Sequence, residues 1–314
     1  MPSSAPSLSE DTPKVRAGPA GLHFFNRKSG LNVLVDGFQV PVSLWSKAPR
    51  HISVALTDAC DLACPYCYAP KGNAELNFER VAGWLIDLDV NGCISVGFGG
   101  GEPTLYLRLP ELCSFAVKRT KLAVTMTTHG HRLSDRLLGE LAGNLHFVRV
   151  SMDGVGNTYE GIRLRSFDKL VKRIAALTKV APFGISFVVN SKTVGDLDPA
   201  LQLAHHLGAA EFLLLPEQAV RGAGGIDAET FRALQEWVAG YRGSVPLSVS
   251  EGSAHGFPAC DPLGSEIGPS AFAHIDASGT LKRTSYDTSG VPILDSGVME
   301  ALNNLKAMSK EIIR

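Results

Sequence analysis

The sequence predicts an α/β protein built on a parallel sheet. Two observations carry that reading: six short, near-continuously apolar runs, as expected of parallel strands covered on both faces, recur from residue 52 onward, and helical segments with readable ends separate them. The runs are "ISVALT" (52–57), "ISVGF" (94–98), "LAVTMT" (122–127), "FVRVS" (147–151), "GISFVV" (184–189) and "EFLLL" (211–215). Between them, Val81, Trp84, Leu85 and Leu88 share one helical face after a cap at Asn77, and Phe167, Leu170, Val171, Ile174 and Leu177 do so after Ser166. Asp198-Pro199 opens a third helix that Gly208 closes, and Asp227 caps a fourth carrying Phe231, Leu234 and Val238. Six βα units in succession leave an open doubly wound sheet or a barrel, complete or partial.

Composition narrows the function classes. A chain of 314 residues with 45% hydrophobic residues suffices for one large α/β domain with a small appendage. Its formal net charge of −1 offers no broad basic face to nucleic acid or an anionic membrane. Residues 1–20 are rich in Ser, Pro and Ala, contain no signal-peptide core and read as a disordered tail. No apolar run of about 18 residues occurs, so neither a membrane span nor export is expected, and the cytoplasm is the expected location. In a reducing compartment, clustered cysteines point to metal or catalysis rather than to disulfides.

Either parallel architecture gathers ligands at the carboxyl ends of the strands, and the informative residues fall there. Cys60, Cys64 and Cys67 follow the first run, "GGGEP" (99–103) the second, and Thr128-His129-Gly130 the third. The fourth ends in "SMDG" (151–154), the fifth at Asn190 and the sixth at Pro216-Glu217. Three thiols within eight residues, beside Pro65 and between Tyr66 and Tyr68, suit one compact soft metal centre. Structural zinc requires a fourth Cys or His, and the nearest downstream candidates, Cys93 and His129, sit at or beyond other strands. An iron–sulfur cluster with one iron open to a non-protein ligand fits the count better.

The Cys-x-x-x-Cys-x-x-Cys spacing with an aromatic before its last Cys resembles the signature of the radical S-adenosylmethionine (radical SAM) superfamily, and the later motifs keep that family's order over roughly residues 50–217. The resemblance implies a partial (β/α)6 TIM-like barrel and a [4Fe-4S] cluster on Cys60, Cys64 and Cys67, with S-adenosylmethionine on the fourth iron. It also implies a flavodoxin- or ferredoxin-type electron donor. By the same resemblance, Gly100, Gly101 and Glu102 meet the methionine amino group, the backbone of Tyr66 meets adenine, and Thr128 lies beside the cofactor. Ser151 and Arg163 hold the methionine carboxylate, with Arg165 the alternative to Arg163. Asn190 either meets the ribose hydroxyls or satisfies a local turn. Many relatives have Thr-Asn-Gly where this chain has Thr128-His129-Gly130.

The organisation expected is a tail (1–20), an N-terminal β-hairpin turning at Lys28-Ser29-Gly30 (21–48), a core (49–242) and a C-terminal extension (243–314). The extension reads as a hairpin turning at Ser278-Gly279 and resembles the SPASM/twitch extension, which places auxiliary-cluster cysteines there. Here Cys260 precedes Gly279, Thr284 stands at the second cysteine position, and no cysteine lies beyond Cys260, so a single cluster is expected. Cys260 is read as a buried thiol, as a catalytic hydrogen-atom donor, or as a ligand to an external group. Cys93 and Cys113 read as packing residues. Of His205-His206 one is expected exposed and one half-buried, and Glu217 is either a ligand contact or a solvated acid. The substrate expected is a peptide. The alternatives are radical tailoring of a sugar, nucleoside or other small metabolite, and a non-catalytic iron–sulfur or zinc protein.

Overall fold

The computed structural model describes residues 12–220, 224–250, 254–258, 260–261 and 263–312. The chain opens with β1 (Lys14–Gly18), β2 (Gly21–Phe25) and β3 (Asn32–Val35), and then alternates. The alternation runs β4 (His51–Thr57), α1 (Phe78–Val90), β5 (Ser95–Gly100), α2 (Leu109–Arg119), β6 (Ala123–Thr128), α3 (Asp135–Leu141) and β7 (Phe147–Ser151). It continues through α4 (Gly156–Arg163), α5 (Phe167–Leu177), β8 (Phe183–Val189), α6 (Leu197–His206), β9 (Glu211–Pro216), α7 (Ala228–Gly240) and β10 (Leu247–Val249). The chain closes with β11 (Phe272–Ile275), β12 (Thr280–Lys282), β13 (Val291–Pro292) and α8 (Val298–Ile312).

All six anticipated strands form, in the parallel order β4 to β9, as a partial TIM-like barrel. The caps are those the sequence advertises: Asn77, Ser166 and Asp227 each accept a backbone N–H of the first turn, and Gly208, at φ +77°, lies beyond the end of α6. Two further parallel strands lengthen the sheet. β10 pairs with β9, and β11 pairs with β4, with the antiparallel β12 and β13 beyond it. The sheet therefore runs past the expected core boundary at 242, and the extension enters it directly. The short runs at 247–249 and 272–275 carry too little periodicity to be assigned to the core sheet from sequence.

The N-terminal expectation is corrected as well. Residues 14–18, expected within the tail, form a strand because their charges find buried partners. Lys14 pairs with Asp89, and Arg16, 2% exposed, donates Nε to Glu266 at 3.2 Å and its Nη atoms to Ala48 O, Gly92 O and Ser270 O. The element is thus a three-stranded antiparallel sheet rather than a hairpin. It lies against the amino ends of the barrel strands. Ser46 N–H donates to Ala17 O, and Arg27 donates to the carbonyls of Val117, Thr120 and Leu122 just before β6. The tail before residue 12 lies outside the described residues.

The strands were expected to be covered on both faces, but only one is fully covered. In β4, β5, β7 and β9, buried and half-buried residues alternate along all or part of the strand. Val54, Val96, Val148, Val150 and Phe212 face the helices in the main core, whereas the intervening side chains face the barrel lumen. The closing hairpin turns where expected, with Asp276 Oδ1 accepting from the N–H groups of Ser278 and Thr280 and Gly279 at φ +82°.

Candidate active site

The carboxyl ends of the strands bring the three thiols and the glycine motif into contact. After β4 the chain turns through Cys60, Cys64 and Cys67, all half-buried and free; Cys67 N–H closes the turn on Cys64 O at 3.1 Å. Leu62 N–H points at Cys60 Sγ (3.4 Å) and Lys71 Nζ at Cys67 Sγ (3.6 Å), contacts that favour anionic sulfur. Burial itself raises the Cys60 and Cys64 thiol pKa values, so a bound electropositive group would be needed to hold them as thiolates.

The two glycines are required by close approach. Gly100 has φ +121°, and a Cβ there would stand 2.4 Å from Thr57 O; a Cβ on Gly101 would stand 2.2 Å from Ala59 O. The backbone continues pairing beyond β5, with Gly101 N–H to Thr57 O at 2.7 Å and Glu102 N–H to Ala59 O at 2.8 Å. The motif is thereby clamped to the base of the cysteine loop. Glu102 is 1% exposed, and its carboxylate accepts from Thr104 N–H (3.1 Å), Thr104 Oγ1 (2.6 Å), Thr128 Oγ1 (2.6 Å) and His129 N–H (2.9 Å). Glu102 therefore ties the β5 loop to the end of β6, with Thr128 as its direct partner.

His129 has a definite tautomer. Its Nδ1 accepts from His131 N–H, so the proton sits on Nε2, which donates to Asp61 Oδ1 at 2.9 Å. The pair adjoins Cys60: the Cys60 Sγ, an Asp61 oxygen and a His129 nitrogen all lie within 4.8 Å of one another. Arg132 and Arg165 close on Asp61 from the other side, Arg165 through the Asp61 carbonyl at 2.8 Å. His131 meets Tyr159 OH at 2.7 Å, and its pKa is lowered to about 4, chiefly by burial.

A second knot lies across the mouth. Asp153, with no exposed surface, accepts from Tyr66 OH (2.5 Å), from Arg163 and from Val188 N–H (2.8 Å). It joins the cysteine loop, the end of β7, α4 and β8. Arg163 is 9% exposed, and its Nε has no partner in the structure. Burial and the Asp153 charge push the Tyr66 phenol well above its ordinary range. Nearby, Asn190 Oδ1 accepts from the N–H groups of Lys192 and Thr193, and its Nδ2 donates to Glu217 at 2.7 Å. Ser151 sits half-buried at the end of β7, level with Ser186.

Cys260 is exposed, which corrects its buried-thiol reading. Turns closed by Gly264 N–H on Asp261 O and by Glu266 N–H on Leu263 O carry the chain from it to the Glu266–Arg50 ion pair, just before β4. His205 and His206 are both exposed. Cys93 and Cys113 are fully buried and packed. Sequence reasoning missed Asp153, Asp61 and the contact of Tyr68 with Tyr286 (ring centroids 4.8 Å apart), which lays the extension's 283–287 segment on the cysteine loop. For Asp153 the sequence signal was its place in "SMDG" at a strand end.

A parallel partial barrel with three free thiols at its mouth defines an α/β metalloprotein of one broad class. Residues 54–204 match the Radical SAM superfamily, whose members use a [4Fe-4S] cluster and S-adenosylmethionine. It is 29% identical over 204 residues to the mycofactocin maturase MftC of Mycolicibacterium smegmatis, covering 61% of this chain and 52% of that protein. It is 31% identical over 176 residues to the GTP 3',8-cyclase of the same organism, covering 52% and 48% respectively. The chain spans about half the length of the curated relatives it matches. In fold it resembles Streptococcus suis SuiB bound to the precursor peptide SuiA, with a TM-score of 0.73 at 12% identity over 94% of this chain and 88% of SuiB. It also resembles anSMEcpe with bound AdoMet, with a TM-score of 0.64 at 17% identity over 83% and 82%.

Proposed function

We propose that this chain is a radical SAM enzyme that acts on a peptide. The observation that carries the reading is the clamp of Gly100 and Gly101 onto the base of a loop presenting three free, half-buried thiols at the barrel mouth. The donor set fits a [4Fe-4S] cluster with one iron left for S-adenosylmethionine: three soft ligands, N–H and ammonium donors already aimed at two sulfurs, and a His129 that the fold brings beside Cys60, against the expectation from sequence, but with both ring nitrogens engaged by His131 N–H and Asp61. When bound, the pair supplies reductive cleavage of S-adenosylmethionine to a 5'-deoxyadenosyl radical that takes a hydrogen atom from the substrate.

The chain's own residues bind and orient. Gly100, Gly101 and Glu102 meet the methionine amino group, and the backbone of Tyr66 meets adenine beside Thr128. Ser151 and Arg163 take the methionine carboxylate, Arg163 held by Asp153 with its Nε still free to donate. Asn190, besides its turn, faces the ribose. A flavodoxin- or ferredoxin-type protein delivers the electron. The peptide reading is supported by the maturase MftC and by the fold shared with SuiB, whose structure holds a precursor peptide. The likeness to a GTP cyclase supports a second reading, a nucleotide substrate.

Anaerobic reconstitution is expected to give about four irons per chain and 5'-deoxyadenosine on reduction with S-adenosylmethionine. Replacing Cys60, Cys64 and Cys67 together with Ala abolishes both. Zinc alone, or iron without 5'-deoxyadenosine, overturns the reading.

A further inference from the structure

The lumen beneath the glycine motif contains a belt of residues that nothing above uses. Strand register runs Ala55 to Gly99 between β4 and β5, then Thr127 to Arg149, Arg149 to Gly184 and Gly184 to Glu211 from β6 to β9. Gly97 pairs with Thr125, so Gly99 and Thr127 are level. The belt is open on one side only: a Cβ built on Gly99 meets nothing within 4 Å, and Thr127, on a central strand, is exposed, whereas Ala55 is buried and a Cβ on Gly184 would stand 2.9 Å from the Phe147 ring and 3.0 Å from Glu211 O. One step deeper the space closes, because a Cβ on Gly97 would stand 3.0 Å from His51 Nε2 and 3.1 Å from Thr125 Oγ1. That layer is the floor.

The belt's polar groups define what fits. Arg149 Nη2 donates to both Glu211 oxygens (3.1 and 2.8 Å), and Glu211 also accepts from Ser248 Oγ (2.5 Å). The carboxylate is thus occupied and the ion pair balanced. The Arg149 Nε is buried without a partner, a donor whose burial is costly until an acceptor meets it. With the Thr127 hydroxyl, the chamber presents donors in a charge-balanced pocket. A carboxylate would bring in unbalanced charge, whereas a carbonyl of a neutral amide would not.

We propose that Gly99, Thr127, Arg149 and Glu211 form a substrate-recognition chamber for a small, neutral, carbonyl-bearing group: a peptide amide or a carboxamide side chain. The proposal deepens the enzymatic reading and rests on it for the chamber's purpose.

The test titrates two probes, N-acetyl-asparagine amide and N-acetyl-aspartate amide, into the reconstituted, oxidised, S-adenosylmethionine-loaded protein by ligand-observed NMR. The carboxamide is expected to bind at least about tenfold tighter than the carboxylate. Gly99→Val, at a position without positive φ, fills the space and is expected to weaken carboxamide binding about tenfold or more with the melting temperature retained. Should that variant fail to fold, Thr127→Val removes only a hydroxyl and is expected to cost a few-fold in carboxamide affinity. Equal or tighter binding of the carboxylate overturns the proposal, as does carboxamide binding unaffected by the variant that folds. Iron content and 5'-deoxyadenosine formation by the unsubstituted protein are read in parallel. Their failure sinks the enzymatic reading, whereas intact cleavage with indifferent probe binding sinks only the chamber.

Discussion

Asp153→Ala is the perturbation whose size the structure sets best. The carboxylate has no exposed surface and neutralises Arg163, itself 9% exposed, while also accepting from Tyr66 OH and Val188 N–H. Its removal leaves a buried guanidinium unbalanced, which costs about 3–5 kcal/mol. The two lost hydrogen bonds share the same acceptor and add little beyond that figure, because network members are not independent. Replacing Asp153 and Arg163 together with Leu removes both charges, and is expected to cost less than Asp153→Ala alone. Tyr66→Phe deletes one donor and is expected to cost about 1 kcal/mol. The assay is urea unfolding of each variant under anaerobic conditions, followed by circular dichroism. A loss below about 1 kcal/mol for Asp153→Ala, or a double variant no better than the single, would refute the argument. A second readout separates position from mere stability: loss of the anchor lowers S-adenosylmethionine affinity even where the protein is fully folded.

Three other outcomes follow from named contacts. Burial lowers the pKa values of His51 and His274 to about 4 from 6.5, so between those pH values the unfolded chain binds more protons than the folded one. Stability therefore falls as pH drops through that window, by up to about 2.7 kcal/mol per unit for the pair, and urea midpoints of a His51→Asn/His274→Asn variant should show a flatter pH profile. Glu266→Ala strands Arg16 and Arg50, which meet its carboxylate at 3.2 and 2.8 Å, and should cost about 3–5 kcal/mol, read by thermal and urea unfolding; a near-neutral effect would remove this ion pair as the anchor of the N-terminal sheet. Cys260→Ala should leave iron content and 5'-deoxyadenosine formation unchanged, and solvent hydrogen in product should persist; its disappearance would assign Cys260 the donor role.

Legibility differed by the range of the interactions involved. The six strands, three helix caps and the closing hairpin were readable because each is set by local apolar pattern and turn chemistry within about ten residues. The three thiols were readable because their spacing alone brings them together. What pattern cannot show is a charge buried by a distant partner. Residues 14–18 look like tail until Arg16 meets Glu266, 250 positions away, and Asp153 looks like a turn residue until Tyr66, Arg163 and Val188 converge on it. The apolar runs also misled in one respect, since they implied covered faces where the lumen is half-open.

That error locates the part of the site where specificity is to be sought. A strand packed on both faces has no reason to carry Gly99, Thr127 and Arg149 at one level, because a glycine there wastes contact and an arginine there needs a partner. In a lumen open at that level the same residues make sense together: space from the glycine, a hydroxyl, and a donor left unpaired by its own ion pair. The cofactor end of the mouth is built from motifs that recur in order along the sequence, so pattern finds it. The substrate end is built from one residue per strand, spaced by the intervening helices and brought level only by the register of the sheet. Which substrate the barrel admits is therefore a property of register, and substitutions at Gly99 and Thr127 should move it while leaving the six-strand order untouched.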